Sequence, residues 1–171
     1  EELYEYQHLF PNDSLPILLD GIVSGDDRDR IYDVDNLWYQ SLFNIVVETS
    51  TQTDPGIWTS MFITEKTFKA IALEMPFILV APTGSLEYMR RYGFKTFGDV
   101  IDESYDRETD DVKRIEKVVK LLKELDSLPV HERWRLHEAM LPAVEHNYNH
   151  FFNGGLTDIL WPELMNMLNG L

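Results

Sequence analysis

The chain has 171 residues, 44% apolar and 26% charged, the size and composition of one globular domain with room for a real core. With 30 acidic residues against 15 basic ones the net charge is -15, a field that repels phosphate backbones and anionic head groups and argues against nonspecific nucleic-acid binding. Cysteine is absent, which excludes disulfides, thiolate zinc sites, iron–sulfur clusters and a cysteine nucleophile.

The longest apolar run, Pro76 to Pro82, is far below the roughly 20 residues of a membrane helix, and no signal-peptide pattern opens the chain. These features lead us to expect a soluble, cytoplasmic protein without a membrane partner. A first residue other than methionine, Glu1, predicts a chain that is trimmed, processed or cut from something longer.

In chain order, residues 1–36 read as an irregular lead-in followed by an acidic loop. The stretch from Glu1 to Pro16 is aromatic-rich and broken by prolines, and Ser24 to Asp35 is dense in Asp and Arg and too polar to bury. Leu37, Trp38, Leu42 and Phe43 suggest an amphipathic helical turn leading into a short β-branched strand, Phe43 to Glu48, expected to be buried. Thr49 to Ser60 is a loop by composition. Thr64 stands at a helix N-cap with Glu65 in the first turn and Phe68, Ile71 and Ala72 at helical spacing, and this helix must stop before Pro76. Phe77 to Ala81, apolar throughout, fits a strand covered on both faces.

Thr83-Gly84-Ser85 then caps a helix that ends at Gly93, and Phe94 to Val100 reads as a short strand or extended segment. Asp102 to Asp106 reads as an acidic loop. Asp110 or Asp111 caps a long helix to about Leu125, with Val112, Ile115, Val118, Val119 and Leu122 on one face,. Pro129 starts a further helix toward His150, and Pro162 opens a last one. The alternation predicts one α/β domain over 1–171, with a Rossmann-like parallel sheet flanked by helices and a helical C-terminal third.

In such a sheet ligands bind outside the carboxyl ends of the strands, where loops enter helix N-termini. Thr64, Glu65 and Lys66 belong there by position. First-turn amides with Lys66 and Lys69 would suit a phosphate or pyrophosphate, and the Glu65 carboxylate would suit paired sugar hydroxyls. The same pattern also fits a plain helix start, with Glu65 favoured by the dipole and Lys69 as its i,i+4 partner. Gly84 and Ser85 either offer amides to a phosphate or only cap a helix.

Other motifs are weaker. Asp33-Val34-Asp35 matches a metal-binding Asp-x-Asp, but three-residue matches arise freely among so many aspartates. His146 and His150 are one helical turn apart, without a third zinc ligand evident, and a helix end is the preferred reading. No resident metal or cofactor is expected. Asp102, Glu103, Tyr105 and Asp106 either line the cleft or form a solvated loop. Trp38, Trp58, Trp134 and Trp161 read mostly as packing residues, with Trp58 able to stack on a base or sugar.

The string Phe43-Asn44-Ile45-Val46-Val47-Glu48-Thr49-Ser50, a polar insertion, then Phe62-Ile63-Thr64-Glu65-Lys66, a helix and an apolar strand resembles the donor-binding, C-terminal half of GT-B glycosyltransferases. Within these it looks most like the fucosyltransferase family, whose pattern reads Phe-Glu-Asn-Ser, then Tyr-Val-Thr-Glu-Lys, then a helix and a Pro-Val-Val strand. A set of uncharacterised phage and bacterial proteins is similar over a longer span, from about Leu15 through Asn147. Their shared strings match Thr64 to Lys69, Pro76 to Ile78, Gly84 to Leu86, Gly93 to Phe97 and Asp102 to Asp106.

The resemblance implies that Glu65 binds the nucleotide ribose, Lys66 the donor phosphates, and Glu48, Thr49 and Ser50 the nucleotide or sugar. The substrate would be a nucleotide sugar, transferred by a hexosyl- or fucosyl-type enzyme. Thr49 in place of the family's Asn, Phe62 in place of its Tyr and a longer intervening loop leave the donor's identity open. A complete GT-B enzyme has two such domains, so an acceptor-binding domain or partner chain is implied. The catalytic base is unassigned, with Glu48 and Asp102 as candidates. The alternatives are a noncatalytic nucleotide or sugar module and an acidic protein-interaction domain.

Overall fold

A computed structural model of the protein describes residues 41–49, 51 and 63–170, within the unit Ser41–Leu171. The lead-in, the acidic loop with Asp33 and Asp35, Trp38, Ser50, Trp58 and Phe62 lie outside the described residues.

Two strands, β1 (Asn44–Val47) and β2 (Phe77–Val80), pair in parallel with Asn44 opposite Phe77 and Val47 opposite Val80. Helix α1 (Glu65–Ala72) lies between them in sequence. This is the expected strand–helix–strand unit, and the fold is a mixed α/β arrangement. Helix α2 (Ser85–Arg91) follows β2, and a 3-10 turn (Ser104–Arg107) precedes α3 (Asp111–Ser127), α4 (Val130–Phe152) and α5 (Gly155–Asn169). The C-terminal third is helical, as the sequence predicts. No helix among the described residues is long and apolar enough to cross a membrane.

The strands differ in burial. Phe77, Ile78 and Leu79 of β2 are buried, whereas β1 buries only Val46 and leaves Ile45 and Val47 about half exposed. The expectation that both strands are buried is therefore corrected for β1, whose side chains alternate between a covered and an open face. The helical turn expected before β1 is absent at residues 41–43. There the Leu42 carbonyl meets His137 Nδ1 at 2.8 Å and Asn44 N–H donates to the Pro76 carbonyl at 2.8 Å, and the part of the expected turn at Leu37 and Trp38 lies outside the described residues.

Helix boundaries follow local chemistry. Thr64 is the N-cap of α1, its hydroxyl accepting Lys66 N–H at 3.3 Å, and Asp110 caps α3 through Lys113 N–H at 3.0 Å. Gly93, at φ +84°, ends α2 in a backbone region that costs an L side chain energy,. Three expectations in the second half are corrected. The segment 94–100 forms no strand; the Asn147 side chain takes the place of a neighbouring strand by accepting Lys95 N–H at 2.7 Å and donating to the Lys95 carbonyl at 2.9 Å. Helix α3 turns Arg114, Val118, Leu121 and Leu125 inward, while Val112, Ile115 and Val119 are exposed. Its charged Arg114 belongs to the buried stripe because that side chain anchors three oxygens. Helix α5 begins at Gly155 and contains Pro162 rather than starting there. Pro162 occupies the eighth helical position, where it withholds one intrahelical N–H.

The core lies between the sheet, α1, α2, α3 and α4: Ala70, Ile71, Ile78, Leu79, Leu86, Met89, Phe97, Val118, Leu121, Met140 and Val144 are all buried. Phe77 and Phe97 meet edge to face at 5.2 Å between ring centres,. Trp134 and Trp161 are more than half exposed or close to it, at 50% and 60%, and do not serve as core residues.

Candidate functional site

The two segments singled out in the sequence meet at the carboxyl end of β1. Glu48 follows the last residue of the strand and is 3% exposed. Its Oε1 accepts Thr64 N–H at 3.0 Å and Thr67 Oγ1–H at 2.5 Å, and its Oε2 accepts the Thr64 hydroxyl. Burial by itself pushes the Glu48 carboxyl up. The Thr64 and Thr67 hydroxyls, the Thr64 N–H and the Lys66 ammonium more than offset it and hold the group below the ordinary glutamate range,.

One residue on, exposed Thr49 accepts a hydrogen bond from Lys66 Nζ at 2.8 Å. Lys66 also sits 3.6 Å from Glu65 Oε1, with the lysine side chain 43% and the glutamate side chain 83% exposed. Glu65 and Lys66 thus present a carboxylate and an ammonium to solvent beside each other, above a buried carboxylate that ties the strand to the helix. Lys69 is half-buried on the next turn of α1. The chain leaving β1 is held again at Thr51, whose carbonyl accepts from the buried Arg114 guanidinium. That group also donates to the Glu108 carbonyl at 3.0 Å and Asp111 Oδ1 at 2.6 Å.

The helix after β2 is closed in a parallel way. Asp106, 4% exposed, accepts Leu86 N–H at 2.9 Å and Glu87 N–H at 3.2 Å through its carboxylate, and its carbonyl accepts Gly84 N–H at 2.7 Å and the Thr83 hydroxyl at 2.9 Å. Ser85 is buried, with its N–H and hydroxyl both directed at the Pro82 carbonyl. The amides of Gly84 and Ser85 are therefore engaged by the chain itself, which favours the helix-cap reading of this pair. Both helix starts at the carboxyl edge of the sheet receive a carboxylate from within the protein, Glu48 at α1 and Asp106 at α2. At the α1 start the exposed cation is Lys66, beside Thr49 and Glu65.

The acidic segment 102–106 is neither a solvated loop nor a cleft lining throughout. Tyr105 and Asp106 are buried. Glu103 accepts Phe97 N–H and the Thr96 hydroxyl, each at 2.7 Å, and lies 3.4 Å from Arg90. Burial raises the Glu103 carboxyl above its ordinary range despite those contacts. Asp102 stays exposed and is held low by Ser104, through the backbone N–H at 2.8 Å and the hydroxyl at 3.0 Å.

His146 and His150 stack at 5.8 Å, and their Nε2 atoms meet the carbonyls of Gly93 and Tyr92 at 2.9 and 2.6 Å. They close the end of α2. No group of three or more potential metal ligands occurs among the described residues. An apolar groove of about 170 Å³ lies against Phe68, Tyr88, Met89, Tyr92, Phe94 and Leu156. With no charged side chain lining it, this groove is not the place for a diphosphate.

Of the sequence-predicted site residues, Glu48, Thr49, Thr64, Glu65 and Lys66 come together at one point, Gly84 and Ser85 belong to the second helix start, and Ser50 lies outside the described residues. Sequence reasoning missed Thr67 and Arg114. The spacing Thr64-x-x-Thr67 places two hydroxyls on the first turn, which is a signal for a shared acceptor. A lone arginine on an amphipathic helix gives none. No protein-family model, curated protein or solved structure matches the chain.

Proposed function

We propose that this domain grips the diphosphate of a nucleotide sugar at the carboxyl end of β1, as the donor-binding half of a glycosyltransferase with a Rossmann-like core. The observation that supports this reading best is the junction itself. Glu48-Thr49 and Thr64-Glu65-Lys66, separated by 16 residues from Glu48 to Thr64, are hydrogen-bonded into one cluster at the edge where parallel sheets bind ligands,.

In this reading Lys66 Nζ contacts the phosphate oxygens, leaving Thr49 or sharing it, and stabilises the charge that develops on the leaving diphosphate. Exposed Glu65 accepts the ribose hydroxyls. Acceptor binding and the catalytic base come from a second domain or chain. The -15 charge of the chain opposes any anion, so a bound diphosphate depends on local cations and binding weakens as salt screens them.

A thermal-shift screen of the 171-residue chain against ADP, CDP, GDP and UDP and their sugars tests the reading. A ligand present at a hundred times its dissociation constant stabilises the fold by about 2.7 kcal/mol. A flat response to every member of the panel would remove the proposal and leave an acidic interaction domain.

A further inference from the structure

We propose that Glu48 is a positioning residue for phosphate recognition: buried beneath Lys66, it fixes the first turn of α1 so that the lysine is held over the end of β1. The inference rests on the nucleotide-sugar reading. It departs from the role that the family resemblance implies for Glu48, which is contact with the nucleotide or sugar.

The geometry supports the indirect role. At 3% exposure Glu48 has little surface to offer a ligand, and its two oxygens already accept three hydrogen bonds from Thr64 and Thr67. Those two residues flank Lys66 on the first turn. Thr64 in turn accepts Lys66 N–H at 3.3 Å, and Thr49, the neighbour of Glu48, accepts Lys66 Nζ at 2.8 Å. The backbone and the tip of one lysine are therefore both referred to two consecutive residues at the end of one strand. A long side chain pre-set in this way loses less conformational entropy when it meets a phosphate.

The proposal makes a prediction of opposite sign to simple electrostatics. Replacing Glu48 by glutamine removes a negative charge close to the ammonium, and Coulomb attraction alone would then tighten anion binding. If Glu48 positions Lys66, binding weakens instead.

The experiment is a double-mutant cycle on the full chain, with ADP, CDP, GDP and UDP each titrated by calorimetry against the parent, Glu48→Gln, Lys66→Ala and the double variant. We expect Glu48→Gln to weaken the nucleotide that binds by about tenfold, the scale of one charge-assisted contact. It should have almost no further effect once Lys66 is alanine, a coupling that a general loss of stability does not produce. Thr67→Val, which removes one of the three donors, is read in the same way should Glu48→Gln fail to fold. Unchanged or tighter binding in a folded Glu48→Gln or Thr67→Val variant overturns the positioning role while leaving the donor-site reading intact. Unchanged binding in Lys66→Ala, or no binding by the parent, overturns both.

Discussion

Glu48 and Thr64 are joined twice, once through the Thr64 N–H at 3.0 Å to Oε1 and once through its hydroxyl to Oε2, and both residues are buried. This pair links the end of β1 to the start of α1, so the fold and the candidate site share one contact.

The first prediction follows from that sharing. Glu48→Ala leaves the Thr64 N–H and two hydroxyls without their acceptor and should cost about 2 to 4 kcal/mol, the sum expected for a buried charged acceptor with several donors. Glu48→Gln keeps one acceptor oxygen and should cost less. Urea denaturation compares them, and an alanine variant as stable as the parent would show that the cluster contributes nothing to folding.

Acid should act on two glutamates in opposite directions. The folded-state value of Glu48 lies below the ordinary 4.5, so its stabilisation is complete above about pH 4.5 and is lost as the pH falls through the lowered value,. Glu103 is raised above 4.5, so its contribution is largest below that value and is lost as the pH rises through the raised one,. The stability gap between parent and Glu48→Gln should therefore narrow on acidification below pH 4.5. The gap between parent and Glu103→Gln should instead move in the parent's favour at higher pH, as the pH falls through the raised value towards 4.5, and stay level below it,. Parallel pH profiles for the two variants would contradict these assignments.

Asp106 should behave as a helix cap and not as a ligand contact. Asp106→Ala removes the acceptor of Leu86 and Glu87 N–H groups at a buried helix start and should lower stability by about 2 kcal/mol,. Nucleotide affinity, measured in the folded fraction, should stay within about twofold, a few tenths of a kcal/mol. A large loss of affinity with little loss of stability would move Asp106 into the binding site.

Asn147, 1% exposed, is the acceptor and donor for one residue of an irregular segment, Lys95. Asn147→Leu fills a similar space without either function, and should cost about 2 kcal/mol by leaving Lys95 N–H and C=O unpaired. Asn147→Asp keeps the acceptor for Lys95 N–H but sets an oxygen against the carbonyl, and should not restore the parent's midpoint. Equal denaturation midpoints for all three proteins would show that solvent serves Lys95 as well.

These residues show which parts of the structure were legible in the sequence. The parallel pairing of β1 with β2 through α1 was, because β-branched runs, a Thr64 cap and Pro76 are local signals that agree with one another. Asp110 and Gly93 marked helix boundaries for the same reason. The inward stripe of α3 was legible only at Val118: hydropathy also favours Val112, Ile115 and Val119, while Arg114 is drawn inside by the Thr51 carbonyl, which only the fold brings near, together with oxygens of Glu108 and Asp111 close to it in sequence. Phe94 to Val100 reads as a short strand or extended segment, but no strand forms there, and the polar partner of Lys95 is a side chain on α4. At the site, the sequence identified Thr64, Glu65 and Lys66 as one group. It could not show that Glu48 turns inward and fills the helix start, because that depends on register across the β1–α1 connection.

The central claim is that Lys66 binds the phosphates of a nucleotide at the end of β1. The most direct measurement is calorimetric titration of the intact chain and of Lys66→Ala with ADP, CDP, GDP and UDP, with melting temperatures recorded for both proteins. A first-turn lysine opposes the helix dipole, while its ammonium favours the Glu48 carboxylate and bonds exposed Thr49, so its removal should change the melting temperature little,. The lost charge-assisted contact, worth about 1.5 to 3 kcal/mol, should weaken the bound nucleotide by roughly tenfold to a hundredfold. Equal affinity in the two proteins, or no heat of binding from any of the four nucleotides with the parent, would contradict the claim.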